Sequence, residues 1–265
     1  MKSFHAPACI AGLTFCFSLQ AAFLPISHLD SKTVEAYQAY VEKFEREVVK
    51  PFAESGKLWI DTSARIANGK TTVEARNNDD VASGSIHHFS GSMHIDGATI
   101  EDMRRIMEDY PNYPKNFKPD VTKATGVLQP DSSAGDDHFL SQLTLSESTL
   151  WMNVQFETNY DTHYKLLDAH RWLSKSVATS VRELKDAKDP GKGTFPEGDD
   201  HGFLWRTQTY WFVRQSNGGL DLQLDSLSLA RPNVPGFTWF GSKRSHDAVE
   251  KMLRDARAAL TAMHK

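Results

Sequence analysis

HGFLWRTQTYWFVRQSNGG, residues 201–219, runs directly into LDLQLDSLSLAR, residues 220–231. Asn217-Gly218 supplies the positive φ that a tight two-residue hairpin turn requires. Pairing across it sets Val213 opposite Leu222 and Trp211 opposite Leu224, with Thr209 and Thr207 facing Ser226 and Ser228. On the other side Arg214 meets Asp221 and Tyr210 meets Asp225. One face is then largely apolar and the other carries an ion pair, and a one-residue slip would mix the two sets. After a short linker, Ser245 to Met263 reads as a long helix capped by Ser245. Its apolar stripe is Val249, Met252, Leu253, Ala256, Leu260 and Met263. The expectation is a curved sheet closing around that helix.

Upstream, strand candidates arrive in series. Val121 to Gln129, Phe139 to Ser146, Leu150 to Asn159 and Arg171 to Leu184 are separated by polar turns, with Leu166 to Ala169 read as one of them. Lys185 to Asp200 is rich in Lys, Asp, Gly and Pro and reads as an exposed loop. Ile86 to Ile95 alternates, with Phe89, Gly91, Met93 and Ile95 on one face and His88 and His94 on the other. Thr99 caps a helix, with Asp102 completing an acidic capping box. Nearer the start, Val34, Tyr37, Val41, Phe44, Val48 and Phe52 mark an amphipathic helix ended by Pro51 and Gly56. Lys57 to Ala67 is a strand candidate, turning at Asn68-Gly69 and returning over Val73 to Arg76. About six antiparallel strands, short helices after the first and one long terminal helix define an α+β class.

The 265 residues suffice for one large domain or two small ones. A net charge of −4 gives no basic field, so nucleic acid is not an expected partner. The first 22 residues stand apart: Met1-Lys2, then an apolar run from Ala6 to Phe17, then small residues to Ala22. This reads as a secretory signal peptide, too short to span a bilayer, so the expectation is export with no stable membrane span. Both cysteines, Cys9 and Cys16, lie in this segment, and the mature chain would have no disulfide, thiol nucleophile or thiolate metal site.

GSIHHFSGSMHIDGATIEDMRRIMEDYPNYPKNFKPDV, residues 84–121, and DDHGFLWRTQTYWFVRQSNGGLDLQLDSLSLARPNVPGFTWF, residues 199–240, together carry a family resemblance. The chain resembles the START/Bet v 1-like superfamily (the SRPBCC or polyketide cyclase/dehydrase group), in detail its exported bacterial members without an established activity. The resemblance spans about residues 84–265. It implies a helix-grip domain over 84–265, preceded by a signal peptide over 1–22 and an N-terminal helix and β extension over 23–83. It also implies a cavity between the sheet and the C-terminal helix, which members use for sterols, lipids, polyketides or other apolar molecules. No catalytic residue carries over, because the superfamily shares none, and the fold alone does not fix function.

Trp205 and Trp211, six apart, are expected to share the apolar strand face and to wall the cavity, joined by Trp172 and Phe89 and roofed by Val249 and Leu253. His88 and His201 are its candidate polar anchors. Glu197, Asp199, Asp200 and His201 cluster in sequence, as an acid/base pair or as a solvated loop. His87 and His88 point to opposite faces, and His88 and His94 stand about 20 Å apart on an extended strand. No HxxxH, HExxH, GxSxG or phosphate-loop spacing is present. The expectation is no metal site, no cofactor, and non-catalytic binding of a hydrophobic small molecule or lipid. The alternatives are a cyclase- or hydrolase-type enzyme using His201, Asp200 or His88, and a structural domain with a filled cavity.

Overall fold

The computed structural model describes residues 25–60, 71–77, 80–148, 153–216, 218–232 and 242–264. The proposed signal peptide and the Asn68-Gly69 turn lie outside these residues, as does most of the strand candidate before that turn.

In chain order the elements are β1 (Ser27–His28), α1 (Ser31–Phe44), α2 (Lys50–Ser55), β2 (Thr72–Asn77), β3 (Asp80–Val81), β4 (Gly84–Asp96), α3 (Ile100–Glu108), α4 (Tyr113–Asn116), β5 (Val121–Leu128), β6 (Asp136–Ser148), β7 (Asn153–Asp168), β8 (Arg171–Glu183), β9 (Asp199–Asp200), β10 (Arg206–Ser216), β11 (Gly219–Ala230) and α5 (Ser242–Met263). The main sheet runs β2-β4-β11-β10-β8-β7-β6-β5, with β3 pairing on β4, and its neighbours are antiparallel. This is the helix-grip arrangement the sequence led us to expect. β9 instead pairs with β1 in a second, two-stranded sheet.

The opening hairpin has the expected register: Val213↔Leu222, Trp211↔Leu224, Thr209↔Ser226, Thr207↔Ser228, Tyr210↔Asp225 and Arg214↔Asp221. Arg214 Nη2 donates to Asp221 Oδ2 at 2.8 Å. Gly218 takes φ +80°, as the turn demands.

Both faces of the central strands of this sheet are covered. On the concave side the core gathers Met93, Met103, Tyr164, Trp172, Trp211, Val213, Leu222 and Leu224 with Val249, Leu253, Ala256 and Leu260 of α5. Gly91 makes the close approach possible, since a β-carbon there would lie 2.5 Å from Leu253 Cδ1 and 2.8 Å from Val249 Cγ1. Met263 departs from the expected stripe and is exposed, and α5 begins at Ser242, a turn before Ser245.

On the convex side, Tyr37, Val41, Phe44, Val48 and Phe52 pack on Ile86, Tyr210, Phe212, Leu227 and Leu229. The central run Tyr210-Trp211-Phe212-Val213 is therefore buried on both faces, as expected of a strand between two layers. The first helix does not stop at Pro51. A π-helical turn over Glu45–Val49 joins α1 to α2, and Pro51 follows that widened turn directly, where the helix carries a proline without ending. The run ends at Gly56, whose φ of +71° is the left-handed cap glycine favours. There Arg171 Nη1 donates to the carbonyls of Phe52 (3.0 Å) and Ala53 (3.1 Å), holding the helix end to the sheet.

Three further differences from the sequence reading are local. β7 continues through the expected turn at Leu166 to Asp168. Lys57 to Ile60 is not a strand, and Lys185 to Asp200 contains a short 3-10 turn and β9. The capping box at Thr99 is present, with Thr99 Oγ1 accepting from Asp102 N and Asp102 Oδ2 accepting from Thr99 N.

Candidate functional site: a cavity under the C-terminal helix

A cavity of about 290 Å³ lies between the concave sheet face and the N-terminal half of α5. Its walls come from the aromatic turn after α3 (Tyr110, Tyr113, Phe117), from Leu143, Leu145, Val154, Phe156 and Tyr164 of the sheet, and from Phe203 and Leu204 before β10. Proline at positions 111 and 114 keeps the turn in short helical pieces, which turns three aromatic rings towards the sheet. Tyr110 stacks on Tyr113 at 4.9 Å, and Tyr113 meets Phe117 edge-on at 5.0 Å.

The tyrosine hydroxyls are turned to structural use. Tyr164 Oη donates to Met107 O at 2.7 Å, Tyr113 Oη donates to the same carbonyl at 2.5 Å, and Tyr110 and Tyr164 hydroxyls bond each other at 2.9 Å. They satisfy a C-terminal carbonyl of α3 that the helix itself leaves open. Burial pushes the ionisation of both Tyr113 and Tyr164 well up, so they remain neutral donors.

A band of hydroxyls shares the cavity with these aromatics. Thr162 pairs with Ser176, Ser176 with Thr209 and Thr209 with Ser226, one row across four strands. Thr207 pairs with Ser228 and Ser228 with His87, forming the next row. All seven side chains line the cavity. Beside them, Ser174 Oγ and Trp172 Nε1 are buried without a hydrogen-bond partner among the described residues. At the rim Lys251 Nζ reaches Asp120 (3.1 Å), Asp255 (2.5 Å) and the Lys118 carbonyl (2.7 Å), tying α5 to the turn before β5. Glu147 also lines this region.

Of the expected site residues, Trp211 lines the cavity. Trp172 lies in the same concave core, stacked on Tyr164 at 5.5 Å. Phe89 is in that core too, edge-on to His246. Val249 and Leu253 are pressed onto the sheet, and Ala248, Met252 and Asp255 on the flank of α5 face the cavity instead. Trp205 is corrected to the convex layer, because alternation holds only within β10 and Trp205 precedes it. Its Nε1 donates to Asp200 Oδ1 at 3.0 Å.

His88 is also on the convex side, under α1. It contacts Asp225 Oδ1 through Nε2 at 2.9 Å and Tyr40 Oη through Nδ1 at 2.8 Å, and Ser90 and Gln223 complete the carboxylate's hydrogen bonds. His201 is buried against Glu183, Nδ1 to Oε1 at 2.6 Å, between Phe195 and Phe203. Neighbouring Asp200 is pushed up to about 6 by burial, with the Glu183 charge adding to it. Neither histidine lines the cavity.

The fold and this site together define a helix-grip protein with a partly open cavity of mixed apolar and hydroxylic lining. No family model matches the chain, and no curated protein matches it. Solved structures similar in shape include a STAR-related lipid transfer protein fragment from Xanthomonas axonopodis, 13% identical with a TM-score of 0.47, covering 71% of this chain and 98% of that one. Human STARD10 is 14% identical with a TM-score of 0.43, covering 71% and 73%. The Zhui aromatase/cyclase from Streptomyces sp. R1128 is 10% identical with a TM-score of 0.35, covering 66% and 88%. The fold assignment rests on the strand order and register described above, and no residue's role is carried over from these proteins. No helix among the described residues is long and apolar enough to cross a membrane.

Proposed function

We propose that the protein binds a neutral, largely apolar small molecule bearing oxygen or other polar groups. The observation that carries this is an aromatic wall and a row of hydroxyls lining one cavity. The aromatics supply apolar burial, and the hydroxyls can each donate or accept as the ligand requires. At about 290 Å³ the cavity is at the small end of the roughly 300–1,000 Å³ usual for ligand pockets, which favours a compact occupant over a two-chain lipid.

Binding is preferred to turnover because the two buried histidine–carboxylate pairs, His88–Asp225 and His201–Glu183, do not line the cavity. Native mass spectrometry and solvent extraction of the purified protein test the proposal. The expected result is a stoichiometric neutral apolar species, or saturable uptake of a neutral dye such as Nile red that Ser176→Phe abolishes. An empty protein that takes up no dye would overturn it. Export is part of the proposal and is read from the mature N-terminus of protein recovered outside the cytoplasm.

A further inference from the structure

On the face of β6 and β7 turned away from the cavity, two histidines distant in sequence become cross-strand partners, His138↔His163. Their rings stack at 4.4 Å, 7° from parallel. Each has its Nδ1 against a carboxylate: His138 on Asp131 Oδ1 at 2.8 Å and His163 on Asp136 Oδ1 at 3.1 Å. Those contacts favour a proton on Nδ1 and aim Nε2 of both rings at one position, where a metal ion takes the place of any Nε2 proton, the orientation that an outer carboxylate gives a metal-ligating histidine. Lys165 holds the second oxygen of Asp136 at 3.0 Å and so fixes that carboxylate in turn.

Both Nε2 atoms turn to one carboxylate, Asp161, two residues from His163 on the same strand face. Asp161 Oδ1 is 3.2 Å from His138 Nε2 and 3.7 Å from His163 Nε2. His138 Nε2 is nevertheless buried without a well-formed hydrogen bond. The three ligand atoms lie within 4.8 Å of one another. A tetrahedral ion with bonds of about 2.0–2.1 Å has ligand–ligand edges of about 3.3 Å, so the two measured edges bracket that value. The side chains of Asp161 (40% exposed) and His163 (39%) leave the site open to solvent.

We propose that His138, His163 and Asp161 bind one divalent transition-metal ion of the zinc class, with Asp131 and Asp136 as its outer shell. Two imidazoles and a carboxylate suit such an ion and leave a coordination position open. The spacing rules that found no metal motif look within one element, whereas this set is assembled by strand register.

The full chain, stripped with a chelator and dialysed, is titrated with Zn²⁺ by calorimetry and by competition with a chromophoric chelator. One ion per chain is expected. His163→Ala and Asp161→Asn should each weaken binding by at least about tenfold, and Asp131→Asn by about tenfold through the outer shell. His246→Ala, in a separate cluster with Asp247 and Glu250 on α5, should leave it unchanged. These side chains are partly exposed, so folding is checked by circular dichroism, and ¹H–¹⁵N spectra of the wild-type histidine rings give a readout free of mutation. Zn²⁺ should shift the Nε2 signals of two rings in the wild-type chain, and the shift of the remaining His138 ring should vanish in His163→Asn. No binding, or binding that survives His163→Ala and Asp161→Asn, would overturn the proposal.

Discussion

Leu253 sits directly over Gly91: a β-carbon on the glycine would stand 2.5 Å from Leu253 Cδ1, with Val249 Cγ1 at 2.8 Å. Helix and sheet therefore meet at a point where no side chain fits on one partner. Gly91→Ala is expected to destabilise the fold by about 1–3 kcal/mol through overpacking. Leu253→Ala removes the obstructing methyls, so the double variant should cost less than the two single costs added together. Urea midpoints of the four proteins check this, and strict additivity would contradict the contact.

The cavity and the convex polar cluster should separate in mutants. Asp225→Ala leaves His88 buried without its carboxylate and should cost about 3–5 kcal/mol while neutral-dye affinity in the folded protein is retained. Ser176→Phe fills the cavity and should do the reverse, abolishing dye uptake at little cost in stability. Equal effects of both variants on dye affinity would place the ligand elsewhere.

Tyr113→Phe removes one of two hydroxyls donating to Met107 O. A loss of about 0.5–1.5 kcal/mol is expected, since Tyr164 still satisfies that carbonyl. Tyr164→Phe should cost more, because Tyr110 also loses its partner. Chemical denaturation of the two variants tests the order.

Asp200 gives the fold a pH dependence of definite sign. Its carboxyl is raised from the ordinary 3.8 to about 6, so the folded chain holds the proton more tightly than the unfolded one. That stabilisation is complete below pH 3.8 and is lost as the pH rises through about 6, by ~3 kcal/mol. Asp200→Asn cannot ionise, so its stability relative to wild type should improve by that amount between pH 4 and 7. Parallel stability curves for the two proteins would refute the assignment.

What one strand or helix repeats is legible in its own residues. The register around Asn217-Gly218, the Thr99–Asp102 capping box and the Val249/Leu253/Leu260 stripe follow from periods of 2 and 3.6 and from one turn, all local constraints. The cavity lining obeyed no such period. Trp205 matches Trp211 in parity, but the chain bends before β10 and sends it to the convex layer. Ala248 and Met252 line the cavity in place of Val249 and Leu253, because the rotation of α5 is fixed by its seat on Gly91. His138, Asp161 and His163 meet only because β6 pairs with β7 in one register of several that the alternation would allow. Alternation within each strand or helix is enough to say which of its residues share a face; which faces enclose space depends on contacts summed over distant segments, and only the folded chain supplies those.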